Sequence, residues 1–176
     1  MSASSSEPGW STAQRRLHWW SAALVLAALG LGLLMTALPY STLLAKFLAY
    51  QLHKSVGLMV FALVLWRLAL RARYRAPPAG PLARLGQGLL YAMLLAVPLL
   101  GWLVAQLAPG PVPTTLFLLI PVPHLLAPDP TLYAWARPVH QIAAWLLVTL
   151  AAGHGGLGLW HLRHGLPLGR RMGLSR

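Results

Sequence analysis

Four stretches of this chain are almost free of charge, and polar or proline-rich connections separate them. They run from about residue 17 to 38, 53 to 70, 85 to 107 and 139 to 162. Each approaches or exceeds the ~20 residues that cross a bilayer core. The pattern therefore predicts an all-α protein, an integral membrane four-helix transmembrane bundle. Glycine and proline inside such helices are tolerated. Pro98 is expected to kink the third helix, because proline removes a backbone hydrogen bond. The connection at 41–50 is short. The one at 109–138 is long, with prolines at 109, 111, 113, 121, 123, 128, 130 and 138. Its apolar run 115–120 is too short to span and is expected to lie at the interface as a short helix. Trp19, Trp20, Tyr40, Trp102, Trp135 and Trp160 fall near segment ends, as in aromatic belts. There is no internal repeat beyond a possible two-hairpin layout, and no soluble domain.

Composition agrees. Of 176 residues, 57% are hydrophobic and 9% charged, against about 25% charged in soluble domains. Fourteen Lys and Arg face two carboxylates, Glu7 and Asp129. Such a charge elsewhere would suggest nucleic acid, but here the basic residues flank apolar segments, so the expected partner is membrane lipid and not nucleic acid. Eleven of them (Arg15, Arg16, Arg67, Arg71, Arg73, Arg75, Arg84, Arg163, Arg170, Arg171 and Arg176) fall on one side, and Lys46, Lys54 and Arg137 on the other. The positive-inside rule then places both termini and the loop 76–81 in the cytoplasm. The expected layout is a cytoplasmic segment 1–14, a transmembrane domain 15–172 and a cytoplasmic tail 173–176. The polar start lacks the pattern of a signal peptide, so the first helix is expected to remain. Cysteine is absent, which excludes disulfides, iron–sulfur clusters and thiolate zinc sites.

Histidine is the chemistry that stands out. His18, His53, His140 and His154 lie inside or at the ends of apolar helices, where an imidazole marks a functional site by default. Topology turns their positions into heights. His18 begins helix one on the inner side, and His53 and His140 begin helices two and four on the outer side. His154 follows His140 by fourteen residues, ~21 Å along the helix and close to four full turns, so both face one way. The heights pair His18 with His154 and His53 with His140. Two histidines facing across a bundle suit an octahedral haem iron, and two stacked pairs make a transmembrane electron path. Zinc prefers four ligands around one ion, which the gap between the pairs opposes. A proton relay would want carboxylates within the helices, and there are none. Gly30, Gly32, Gly57, Gly153, Gly155, Gly156 and Gly158 would leave room for a macrocycle or serve close helix packing.

Several residues carry two readings. His161 and His164, beside Trp160 and Arg163, form a basic interfacial anchor or a pocket for a quinone headgroup. Arg67 either snorkels to the headgroups or contacts haem propionates or quinone. Lys54, with Lys46 and Arg137, can neutralise the outer propionates or steer a small anion to that face. His124 has no assigned role.

From about Ala13 to Met172 the chain resembles the bacterial cytochrome b561 family of small di-haem membrane cytochromes. The resemblance rests on RRLHWW around His18, QLHKSVGLMVFALVLWRLALRARYRAPP through His53, LARLGQGLLYAMLLAVPLLGW in helix three, and VHQIAAWLLVTLAAGHGGLGLWHLRHG at the end. The family places haem ligands on helices one, two and four, with two on helix four, and all four positions are histidine here. The resemblance implies two haem b groups and a multi-pass protein of the bacterial inner membrane. It also implies electron transfer between quinone, near the cytoplasmic end by His161, and another partner. At least one type similar to this chain oxidises superoxide outside and reduces ubiquinone, so a superoxide:ubiquinone oxidoreductase is the enzyme implied. A periplasmic redox partner is the other candidate donor. Where relatives often carry a further histidine in helix three, this chain has Gln87, which leaves ligation intact and bears on a quinone or propionate role. The alternative is a membrane-anchor subunit of a larger dehydrogenase or hydrogenase, for which the short loops offer little docking area. A haem-free transporter or structural protein would show no Soret absorption.

Overall fold

The computed structural model describes residues 10–74, 80–110 and 112–164. Residues 76–79 of the inner loop, the N-terminal segment 1–9, the tail 173–176, and Arg75, Arg170, Arg171 and Arg176 lie outside the described residues.

Four helices form the body: α1 (Thr12–Ala37), α2 (Leu43–Arg73), α3 (Pro81–Leu107) and α4 (Pro130–Arg163). All four are long and apolar enough to cross a membrane. Their starts follow helix-end chemistry. Ser11 and Gln14 make a capping box at α1, which satisfies orphan donors of the first turn reciprocally. Pro81 opens α3, and Pro130 opens α4 behind Asp129, whose carboxylate accepts from the backbone N–H groups of Thr131 and Leu132 at 2.9 Å each. Both prolines sit where the missing N–H costs nothing. Pro98 and Pro138 lie inside continuous helices.

Two helices are longer than the charge pattern suggests. α2 starts at Leu43 rather than near 53, and α4 at Pro130 rather than near 139. His53 and His140 are therefore not the first residues of their helices; each lies ten residues inside, ~15 Å along the axis. Lys46 explains the difference in α2. It is buried, and its Nζ donates to the carbonyls of Met35 (3.0 Å) and Leu38 (2.6 Å) while lying 4.8 Å from the centre of the Tyr40 ring. The last carbonyls of a helix lack intrahelical partners, and Pro39 leaves α1 no glycine cap. Lys46 closes the end of the preceding helix and is not placed to neutralise or steer an outer anion.

The run 115–120 is not a helix. Thr114–Leu116 (β1) and Ile120–Val122 (β2) pair antiparallel, as their β-branched residues favour. Leu119 N–H donates to Leu116 O at 3.0 Å, and the two central turn residues, Phe117 and Leu118, have φ of 50° and 63°. That is the left-handed geometry of a primed hairpin turn, made here by two bulky residues. Polar side chains of α2 hold the hairpin down. Gln51 Nε2 donates to Pro113 O (2.6 Å), Ser55 Oγ donates to Thr115 O (3.1 Å) and accepts from Phe117 N–H (2.8 Å), and Lys54 Nζ donates to Thr114 Oγ1 (3.2 Å). On the far side, Gln106 of α3 accepts from the N–H groups of Leu125 and Leu126.

In sequence order, each helix packs on the next. The buried apolar cluster joins Val60 and Val64 of α2, Leu94 of α3 and Leu147 of α4, flanked by Leu24 and Val25 of α1. Leu147 is seven residues from both His140 and His154, so this apolar layer separates the two histidine levels.

Candidate paired-histidine sites

The level expected on the outer side brings His53 of α2 to His140 of α4, with ring centres 6.3 Å apart and planes crossed at 82°. Each ring is oriented from behind by a backbone carbonyl. His53 Nδ1 lies 2.8 Å from Ala28 O on α1, and His140 Nδ1 lies 3.1 Å from Val97 O on α3. A carbonyl only accepts, so each Nδ1 carries the proton and each Nε2 keeps its lone pair for a metal.

The same local device makes both contacts possible. Four residues beyond each accepting carbonyl stands a glycine. A Cβ on Gly32 would lie 3.2 Å from His53 Cε1, and one on Gly101 would lie 3.0 Å from His140 Cε1. On a helix, residue i+4 covers the carbonyl of residue i. A larger residue there would crowd an imidazole that reaches the oxygen from a neighbouring helix.

The level expected on the inner side brings His18 of α1 to His154 of α4, with ring centres 6.1 Å apart and planes at 69°. Its surroundings differ. His18 Nδ1 faces Arg67 Nη2 at 3.3 Å, and a guanidinium only donates. The guanidinium of Arg67 also lies 5.3 Å from the centre of the Tyr91 ring; Arg71 lies 5.6 Å from the same ring and donates to Gln87 Oε1 at 3.1 Å. Arg67 thus reaches inward to a site histidine, and Gln87 anchors Arg71. Around His154, Cβ atoms added to Gly153, Gly155, Gly156 and Gly158 would meet nothing within 4 Å, and the same holds for Gly30 and Gly57. These glycines are not close helix-packing contacts. They leave open surface.

The spacing supplies a test of fit. Two imidazoles bound through nitrogen to opposite faces of one metal ion, at about 2 Å per bond, would hold their ring centres roughly 6 Å apart. Both pairs meet that requirement, and crossed ring planes are compatible with it. Among the described residues no group of three or more His, Asp or Glu is placed to hold a metal ion, so the donor set suits a cofactor that fills the remaining positions itself, as a porphyrin does.

The residues around the pairs take up distinct partners. Lys54, next to His53 in sequence, is engaged by Thr114 of the hairpin. At the end of α4, His161 Nδ1 donates to Leu157 O (2.6 Å) and His164 Nδ1 to Trp160 O (2.8 Å), with the Trp160 ring 5.1 Å and 4.4 Å from the two imidazoles. In the neutral form each therefore presents Nε2 as an acceptor, not the donor a quinone carbonyl needs. Sequence reasoning missed Gly101, the carbonyls of Ala28 and Val97, and the contact of Arg67 with His18. Of the two glycines, the sequence reading singles out only Gly32, as room for a macrocycle or as close helix packing.

The family model for prokaryotic cytochrome b561 matches residues 9–173. The chain is also 34% identical over 158 residues to a protein of Escherichia coli (strain K12) named cytochrome b561 homolog 2, covering 82% of this chain and 79% of that one.

Proposed function

The chain belongs to the prokaryotic cytochrome b561 family, multi-pass membrane proteins of haem-dependent transmembrane electron transfer, and on that premise we propose that it holds two b-type haems. His53 and His140 would hold one, His18 and His154 the other, and electrons would pass between a donor outside and quinone. One observation carries the reading: two histidine pairs of nearly equal ring separation, 6.3 and 6.1 Å, share α4 across an apolar layer.

When bound, the haems supply reversible one-electron chemistry, which is the cofactor's own. The chain supplies the rest. The carbonyls of Ala28 and Val97 hold the outer imidazoles in the tautomer that presents Nε2, as outer-shell partners of metal-bound histidines do. Val60, Val64, Leu94 and Leu147 keep water from the space between the levels. A haem held by both histidines of a pair would have no place left for dioxygen, which suits electron transfer rather than oxygen binding.

The orientation we propose puts both termini in the cytoplasm of a bacterium and the chain in its inner membrane, on the eleven-to-three division of basic residues and the positive-inside rule. The quinone, ubiquinone in this reading, would bind at the end that holds His161 and Trp160. There the free Nε2 of His161 accepts a proton from a quinol hydroxyl or, once protonated, donates to a quinone carbonyl. Outside, Lys54 and Arg137 favour an anionic donor such as superoxide, because like-signed residues raise the local concentration of the opposite charge. The test is direct: purified protein supplied with superoxide and ubiquinone should form quinol. Full haem content without turnover would move the assignment to an anchor subunit of a larger redox complex.

A further inference from the structure

The two histidine levels differ in what faces their imidazoles, carbonyls at one and a guanidinium at the other. We propose that Arg67 makes the His18–His154 haem the higher-potential of the two, so that electrons run downhill from the His53–His140 level; this rests on the two-haem reading.

At the outer level both His53 and His140 donate Nδ1–H to a carbonyl. Such a hydrogen bond pushes electron density onto the ligand nitrogen and raises its basicity, which favours ferric iron. Lys54, the nearest cation in sequence, makes its hydrogen bond to Thr114 Oγ1 and not to an imidazole of this pair. At the inner level the partner of His18 is a guanidinium at 3.3 Å. Reduction adds one electron to the iron and no proton, so its charge falls by one. A fixed positive charge a few ångströms from the ligand disfavours the more positive ferric form, and in an apolar setting that interaction is weakly screened. That fixed charge raises the potential.

Among the described residues no carboxylate lies near enough to cancel the charge. Asp129 is the sole acidic side chain among the described residues, and it caps α4 at the opposite end. Arg67 is also held in place. It is half-buried and lies over Tyr91, while Arg71, one turn on, is drawn to Gln87.

The experiment is a spectroelectrochemical titration of the purified haem-loaded protein, following the reduced b-type bands. The wild type should show two one-electron waves. His140→Ala, which removes an outer ligand, should leave the upper wave. Arg67→Met should move the upper wave to lower potential and leave the other in place, and Arg67→Lys should retain most of the separation. Retention of the lower wave in His140→Ala overturns the proposal, as does an unmoved upper wave in an Arg67→Met protein that keeps both haems. If Arg67→Met does not assemble, the His140→Ala comparison still decides. Fewer than two haems per wild-type chain is a different result, which removes the two-haem reading and this proposal with it.

Discussion

Gly101 of α3 faces the imidazole of His140 on α4 so closely that a Cβ at position 101 would stand 3.0 Å from His140 Cε1. Gly32 of α1 stands in the same relation to His53, at 3.2 Å. Both contacts are with a ring already tied to a carbonyl one turn away, so the ring cannot retreat without losing that bond. Gly101→Ala is therefore expected to disturb the outer haem, seen as loss of about half the haem or a changed low-spin signal in electron paramagnetic resonance. Gly32→Ala should do so more mildly. Gly30→Ala, where a Cβ meets nothing within 4 Å, should leave haem content as it is.

Ser55 is fully buried and is bound to the hairpin in both directions, donating to Thr115 O and accepting from Phe117 N–H. Ser55→Ala leaves that N–H without its partner, a loss of about 1–3 kcal/mol that thermal unfolding in detergent should report as a lower Tm. The turn beyond it holds Leu118 at φ 63°, which costs a non-glycine residue about 1–2 kcal/mol. Leu118→Gly should recover part of that and raise the Tm, opposite in sign to the serine variant.

Lys46 tests a role that charge alone would misassign. Its Nζ closes the carbonyl end of α1 through Met35 O and Leu38 O. Lys46→Met should lower stability by about 1–3 kcal/mol through the loss of charge-assisted hydrogen bonds, with both haems retained. A variant that kept its stability but slowed oxidation of an anionic donor would return Lys46 to a steering role.

The four apolar segments were legible because the bilayer forbids charge over a fixed length, and that constraint needs no tertiary information. Their ends were less so. Lys46 falls in what reads as a connection before residue 53, yet α2 starts at Leu43 and Lys46 closes the end of α1. The hairpin was unreadable for a local reason: its turn is Phe117-Leu118, not the Asn-Gly or Asp-Gly that marks a primed turn, and its support comes from Gln51 and Ser55, some sixty residues earlier. The relative heights of the histidines could be read from the fourteen residues between His140 and His154. Which carbonyl each ring would meet could not, since that depends on how α1 and α3 are rotated against α2 and α4. His161 shows the same limit: its place at the end of α4 was readable, but the bond to Leu157 O that turns its free nitrogen into an acceptor was not.

The central claim, two haems each held between two histidines, is tested most directly by pyridine haemochrome analysis of the purified wild type beside His140→Ala and His154→Ala. The account expects about two b-type haems per wild-type chain and about one in each variant, with different residual spectra because different levels survive. A colourless wild type from a haem-replete host, or either variant keeping both haems with an unchanged spectrum, would contradict it.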